Sequence, residues 1–144
     1  MKNLQQLKLD NQICFPVYAL SKEIINRYRP LLDKLDVTYP QYLVLLVLWE
    51  HREQSVSQLG EKLYLDSGTL TPLLKRLEQK KLVIRERSKE DERIVKIKLT
   101  SEGENLQKIA ASVPKQLFED MKVPQEELMQ LKKTIEKILT TLNQ

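Results

Sequence analysis

Residues 66–81, DSGTLTPLLKRLEQKK, carry two faces at helical spacing. Leu70, Leu73, Leu74 and Leu77 recur on one side and would anchor a short helix on a core. The other side presents Ser67, Thr69, Thr71, Lys75, Arg76 and Gln79, with short hydrogen-bonding groups near the N-terminus and longer polar and cationic ones further along. Short polar groups suit base edges and long cations suit phosphates, so this face reads as DNA-facing. A helical hairpin with a merely solvated basic face has the same composition, and the motif alone does not separate the two. Upstream, SVSQLGEKL (residues 55–63) offers a Ser55-x-x-Gln58 capping box followed by Val56, Leu59 and Leu63 on one side. Two short helices therefore meet across a tight connection.

Downstream, LVIRERSKEDERIVKIKLT (residues 82–100) changes from helical to alternating period. Arg85 and Arg87 share a parity in the first arm. In the second arm Val95, Ile97 and Leu99 alternate with Lys96 and Lys98, as in a two-stranded hairpin with one packed and one wet face. The tip, SKEDER, is entirely polar. A helix-turn-helix followed by a basic hairpin is the winged-helix arrangement, in which the second helix enters a major groove and the hairpin reaches phosphates or the adjacent minor groove. Residues 75–98 hold ten Lys and Arg against five acids, a net +5, while the whole chain is +4, so everything outside that segment sums to −1. The basicity is local, as a phosphate-contacting surface requires.

The remaining composition narrows the function classes. At 144 residues and 41% hydrophobic, the chain suits one domain with a core. The longest apolar run, Tyr42–Trp49, is too short for a bilayer, and no signal-peptide pattern precedes residue 14, so a cytoplasmic protein without a membrane is expected. One cysteine excludes an internal disulfide framework, and a single histidine leaves no metal-ligand cluster. His51, near the end of a helical stretch, suits the last carbonyls of that helix. Three glycines supply no phosphate-binding loop, and no cofactor is implied.

Taken from the start, Leu20, Ile24, Tyr28, Leu31, Leu32 and Leu35 recur at helical spacing. Pro16 fits a first helical turn, which puts Cys14 at or near a helix N-terminus. Pro30 reads as a kink or break between two helical pieces. Thr38-Tyr39-Pro40 reads as a cap leading into YLVLLVLWEHRE, a helix apolar nearly all round, central in the core, with Trp49 part of that core. After the hairpin, Ser101-x-x-Glu104 reads as a capping box of a helix that continues past a bend at Pro114, and a further helix starts at Pro124. Leu128, Leu131, Ile135, Ile138 and Leu142 are spaced 3, 4, 3, 4. A seam this short is usually a packed face, but a DNA module reads a palindrome best as a pair, which favours a homodimer formed by the N- and C-terminal helices on an inverted-repeat operator. The organisation expected is one domain, residues 1–144, with a winged helix-turn-helix core over about 40–100 and dimerisation helices in 1–39 and 101–144, mainly α with a small β-hairpin wing.

The helix order, LDSGTLTPLLKRLEQKKLVIRERSKEDERIVKIKLTSEG and the C-terminal helical pair resemble the MarR family of winged-helix repressors over essentially the whole chain. Within it, ICFPVY together with TYPQYLVLLVLWEH resembles the organic-hydroperoxide-sensing branch that uses one reactive cysteine. The resemblance implies Cys14 as the peroxide-reactive thiol and Tyr28 and Tyr39 as its hydrogen-bond partners. It matches Asp91 and Arg93 to an Asp-x-Arg of the wing, in which the aspartate fixes an arginine that probes the minor groove. By the same resemblance, the regulated gene encodes a peroxide-detoxifying protein.

Apart from any family, a thiolate is the nucleophile toward a peroxide, and it is favoured at a helix N-terminus or where tyrosine hydroxyls donate to it. An apolar setting from Phe15, Val17 and residues 42–49 opposes ionisation yet favours organic hydroperoxides over hydrogen peroxide. An arbitrary single cysteine is more often an inert buried thiol. The Cys-Phe context and the two tyrosines reverse that weighting, while Tyr18, Tyr42 and Tyr64 read as packing residues. Oxidised Cys14 has no internal partner, so either a small cellular thiol forms a mixed disulfide or the Phe15 nitrogen closes a sulfenamide. Three functions remain separable: a redox-regulated DNA-binding repressor, which leads; the same fold answering a small aromatic ligand, which a Cys14→Ser protein would still do; and a thiol peroxidase, which would turn over repeatedly with a thiol reductant.

Overall fold

The computed structural model describes residues 4–144. Two short 3-10 turns, Gln5–Leu7 and Leu9–Asn11, precede α1 (Cys14–Asp33) and α2 (Tyr39–His51). A strand β1 (Glu53–Ser55) leads into α3 (Val56–Leu63) and α4 (Ser67–Gln79). The wing strands β2 (Val83–Arg87) and β3 (Val95–Leu99) follow, then α5 (Ser101–Ala110), α6 (Val113–Met121) and α7 (Gln125–Leu142). The chain divides into two compact units, one up to Ala111 and one from Ser112 to Gln144. Among the described residues no helix is long and apolar enough to cross a membrane.

In the first unit, α2 is the central helix, as its all-round apolar sequence demands: Tyr42, Val44, Leu45 and Leu48 are buried. Its start is fixed by a capping box in which the Gln41 N–H donates to Thr38 Oγ1 and the Thr38 N–H donates to Gln41 Oε1. Leu59 of α3 and Leu70, Leu74 and Leu77 of α4 complete the helix-turn-helix core. The turn between those helices is tight enough to need glycine, since a Cβ on Gly60 would sit 2.7 Å from the Leu65 carbonyl oxygen. A second close approach lies under the wing, where a Cβ on Gly103 would fall 2.2 Å from the Leu82 carbonyl oxygen. The Gly103 carbonyl in turn accepts from Trp49 Nε1 at 2.9 Å, tying α5 to α2.

Several expectations need correction. α1 runs as one helix through Pro30 rather than breaking into two pieces there, the proline forgoing only the single ladder bond that its missing N–H would have made. The cap of α5 is Thr100, whose hydroxyl accepts from the Gly103 N–H at 3.0 Å; the end of β3 already holds Thr100 extended, so it rather than Ser101 takes the cap. At Pro114 the chain breaks rather than bends: α5 stops at Ala110 and α6 begins anew at Val113, across the boundary between the units. The hairpin is part of a three-stranded antiparallel sheet in the order β1-β3-β2. The short β1 escapes notice because its residues, Glu-Gln-Ser, show no apolar alternation. Tyr42 is buried, but Tyr18 and Tyr64 are 60% and 62% exposed and lie outside the core, Tyr18 with the Lys22 ammonium 5.2 Å from its ring centre; Tyr64 ends α3 in the left-handed region with φ 56°.

In the second unit, Val113 and Leu117 of α6 are buried. α7 buries no residue, and Leu131, Ile135, Ile138 and Leu142 of its 3-4-3-4 seam are all exposed.

Candidate functional site

α4 begins on Asp66, whose carboxylate accepts from the Thr69 N–H at 2.8 Å and is held below the usual carboxylate range by bonds from Thr69 and then Gly68. That cap and the buried Leu70, Leu74 and Leu77 fix which face points outward. Ser67, Thr69, Lys75, Arg76 and Gln79 are exposed together on it. Thr71 is half-buried, and its hydroxyl donates back to the Ser67 carbonyl at 2.8 Å.

The wing register pairs Arg85 with Ile97 and Arg87 with Val95, so both arginines lie on the same side of the sheet as the apolar stripe. The reason is where the core ends. Val83 and Ile97 are buried at the base of the hairpin, whereas the residues nearer the tip project beyond that core, and Arg85 and Arg87 are half-buried and exposed in turn. The opposite side holds Ile84, Glu86, Lys96 and Lys98. There the cations are paired: Lys98 Nζ lies 3.0 Å from Glu86 and 3.5 Å from Glu53, and Lys96 lies 3.5 Å from Glu53. The Glu86 contact leads in raising Lys98 above the ordinary lysine range. The Glu53 pairs depend on β1, so the sequence alone overstates the free charge of the wing.

The tip is built from its own polar side chains. Ser88 Oγ accepts from the Glu90 and Asp91 N–H groups, the Ser88 N–H donates to the Ile94 carbonyl, and Arg87 Nη1 donates to the Glu92 carbonyl at 3.0 Å. Asp91 accepts both from the Arg93 backbone and from its guanidinium. Between the wing and the start of α3 runs a cleft of about 450 Å³ whose lining includes Ser55, Ser57, Arg85 and Arg93. Two cations and the first turn of a capped helix there suit an anionic oxygen.

Cys14 is the first residue of α1 and is exposed. Phe15, Val17 and Tyr18 around it are also exposed, so within one chain the thiol lacks the apolar enclosure its neighbours could supply. Tyr28 and Tyr39 are brought together, with ring centroids 4.7 Å apart, and Tyr42 lies 5.7 Å from Tyr28. Burial, and then the neighbouring Tyr39 and Tyr42, raises Tyr28 above the ordinary phenol range; burial also raises Tyr39. Neither hydroxyl has a hydrogen-bond partner among the described residues. The two tyrosines are not near Cys14 in the same chain, because Tyr28 follows it by fourteen residues in one helix, about 21 Å of rise. A cleft of about 300 Å³ opens beside Tyr39, lined by Ile25, Leu32, Val37 and Pro40 together with Arg29 and Asp33.

Residues 21–109 match the family model of the transcriptional regulator SarA/Rot. The chain is 53% identical over 138 residues to the organic hydroperoxide resistance transcriptional regulator of Bacillus subtilis, covering 96% of this chain and 94% of that one. Among solved structures, it is similar to reduced AbfR bound to DNA, at 37% identity and a TM-score of 0.80, over 96% of this chain and 97% of that one. AbfR is a protein of Staphylococcus epidermidis. The overoxidised form of AbfR, also bound to DNA, matches at 36% identity and a TM-score of 0.79 over the same shares. With the winged helix-turn-helix in place and relatives of this closeness, the chain belongs to the MarR family of winged-helix transcriptional regulators, in the branch of the organic hydroperoxide resistance regulators.

Proposed function

We propose that the protein is a homodimeric repressor that holds an inverted-repeat DNA operator until an organic hydroperoxide oxidises Cys14. Ser67, Thr69, Thr71, Lys75, Arg76 and Gln79 of α4 enter successive major grooves, while Arg85, Arg87 and the Asp91-held Arg93 carry the wing along the backbone into a flanking minor groove. A DNA partner places the protein in the cytoplasm. The DNA-bound AbfR structures support this docking for a chain of the same fold.

The observation that carries the redox reading is the separation of Cys14 from Tyr28 and Tyr39. Two half-buried, protonated hydroxyls without partners and an exposed thiol about 21 Å along the same helix are complementary halves that one chain keeps apart. A second copy brings them together. The exposed Ile13, Val17 and Leu20 at the N-terminal end of the chain and the exposed seam of α7 are the apolar surfaces such a dimer would cover. Donation from Tyr28 and Tyr39 stabilises the thiolate, and the cleft beside Tyr39 gives the organic part of the hydroperoxide an apolar recess.

The thiolate sulfur attacks one peroxide oxygen, the O–O bond breaks, and the departing alkoxide takes a proton to leave as the alcohol. Cys14 is then a sulfenic acid, and because it is the sole cysteine, a small cellular thiol condenses with it, releasing water and forming a mixed disulfide. The bulk of that adduct forces the dimer to repack and changes the spacing of the two reading heads. Overoxidised AbfR was solved on DNA, which for this chain favours the bulky adduct over added oxygen alone as the releasing form. Each molecule reacts once, as a regulator does.

The test is an operator titration with and without cumene hydroperoxide plus free cysteine, with intact mass measured on the same samples. Release that tracks the mass of the Cys14 adduct is expected. Retention by fully modified protein, or release of a Cys14→Ser protein, would overturn the reading.

A further inference from the structure

Gln41 joins two regions that the proposed function uses for different purposes. Its side chain is 2% exposed, and its Oε1 accepts from two donors. One is the Thr38 N–H at 3.0 Å, which closes the cap of the helix whose first residue is Tyr39. The other is Lys80 Nζ at 3.3 Å. Lys80 ends the DNA-facing helix: it follows Gln79, and its N–H donates to the Arg76 carbonyl. The same ammonium donates to the Asp36 backbone carbonyl and lies 3.9 Å from the Asp36 carboxylate. Two of the three ammonium donors are therefore engaged by oxygens of the Asp36 corner and the start of α2, with the Asp36 carboxylate adding charge close by. Asp36 stands in the left-handed region, with φ 54°, which helps aim its carbonyl.

We propose that Lys80 is a positioning residue through which a change at Tyr39 re-aims the DNA-facing helix. The inference rests on the reading that Cys14 acts at Tyr39. Both lone pairs of Gln41 Oε1 are in use, and an amide oxygen this deeply buried cannot lose its donors to solvent without cost. A displacement at the first turn of α2 therefore either carries Lys80 with it or breaks the link. The rest of α4 is held on this side by Leu70, Leu74 and Leu77, whose apolar contacts have no direction of their own and tolerate a small rotation. Its C-terminal end is held by directional bonds, and those bonds come from the sensing corner. Coupling of this kind is reciprocal: operator binding shifts the equilibrium of adduct formation at Cys14 by the same factor that the adduct shifts operator affinity.

The experiment compares the full-length protein with Lys80→Met, Gln41→Met and the double variant, each checked for folding by thermal melting. Operator affinity is measured before and after treatment with cumene hydroperoxide plus free cysteine, with the Cys14 adduct quantified by intact mass. Lys80→Met keeps the stem of a side chain that is already 32% exposed, so it should fold. Reduced Lys80→Met is expected to bind within about threefold of the unaltered protein, and its fully modified form to lose less than about tenfold where the unaltered protein loses about a hundredfold. Gln41→Met should blunt the response similarly, and the double variant should lose no more of it than either single one. Modified Lys80→Met that leaves DNA as completely as the unaltered protein would overturn the link. So would reduced, folded Lys80→Met that no longer binds, since Lys80 would then serve the helix alone. If the unaltered protein keeps its operator with Cys14 fully modified, the sensing reading itself fails and the link falls with it.

Discussion

Asp91 grips Arg93 at three points. Oδ1 accepts from the Arg93 backbone N–H at 3.1 Å and from Nε at 3.2 Å, while Oδ2 accepts from Nη2 at 3.4 Å. These bonds hold the Asp91 carboxyl below the usual carboxylate range. The arginine side chain is 91% exposed, so its orientation is set while its outer edge stays open. A surface pair like this contributes little to folding, and its consequence lies in preorganisation. Arg93→Ala should weaken operator binding by about 1–3 kcal/mol without moving the thermal midpoint. Asp91→Ala should weaken it less, because the cation survives and only its orientation is lost. If Arg93→Ala and Arg76→Ala proteins both titrated an operator as tightly as the unaltered one, the docking would be wrong.

α7 buries nothing in its own chain, yet four of its seam residues, Leu131, Ile135, Ile138 and Leu142, are exposed apolar side chains. A surface of that kind is expected to be covered. Removing residues 124–144 should therefore convert the protein to a monomer in analytical ultracentrifugation and abolish operator binding, although every DNA-facing side chain remains. A truncated monomer that bound the operator with full affinity would refute the dimer argument.

The two helices and the wing were legible because their signals are local: the Ser55-x-x-Gln58 capping box is present and the 70–77 leucine face is the buried one. The start of α1 at Cys14 was equally readable from Pro16. What escaped depends on distant partners. β1 exists because Gln54 lies beside Ile97, a pairing that the Glu-Gln-Ser triplet does not announce. The ion pairs of Lys96 and Lys98 with Glu53 follow from it, so a charge count treats as free two cations that the fold has engaged. The separation of Cys14 from Tyr28 was present in the numbering. Residues proposed to act together need not meet within one chain, and the aim of each side chain is a property of the folded protein.

Burial raises Tyr28, Tyr39 and Tyr42 above the ordinary phenol value of 10.0. In the unfolded chain the same phenols ionise near about pH 10. Above that pH the unfolded state binds fewer protons than the native one, so stability is full below about pH 10 and falls as pH rises toward the native values. Urea midpoints measured from about pH 8 to about pH 11 should be flat and then decline, and Tyr28→Phe should shallow the decline. In an alkaline absorbance titration, three tyrosines should ionise late. A midpoint that held steady past pH 10, or five tyrosines ionising together, would contradict the buried cluster.

If Cys14 is completed by Tyr28 and Tyr39 of a second copy, the arrangement of the variants between two chains decides the response. The helix separates Cys14 from Tyr28 by about 21 Å within a protomer, too far for any hydroxyl to reach the sulfur. A heterodimer of a Cys14→Ser chain with a Tyr28→Phe/Tyr39→Phe chain keeps one intact pair across the dimer, since the surviving thiol faces the surviving tyrosines. A heterodimer of an unaltered chain with one carrying all three changes keeps none, although its composition is the same. The first should form the Cys14 adduct at close to the rate of the unaltered protein, with half the sites available. The second should react more slowly by about tenfold, which corresponds to the loss of about 1.4 kcal/mol of thiolate stabilisation. Differentially tagged chains, purified as heterodimers and followed by intact mass after a pulse of cumene hydroperoxide with free cysteine, separate the two. Equal rates would mean that the tyrosines do not act on the sulfur, and a faster second species would place thiol and tyrosines in the same chain.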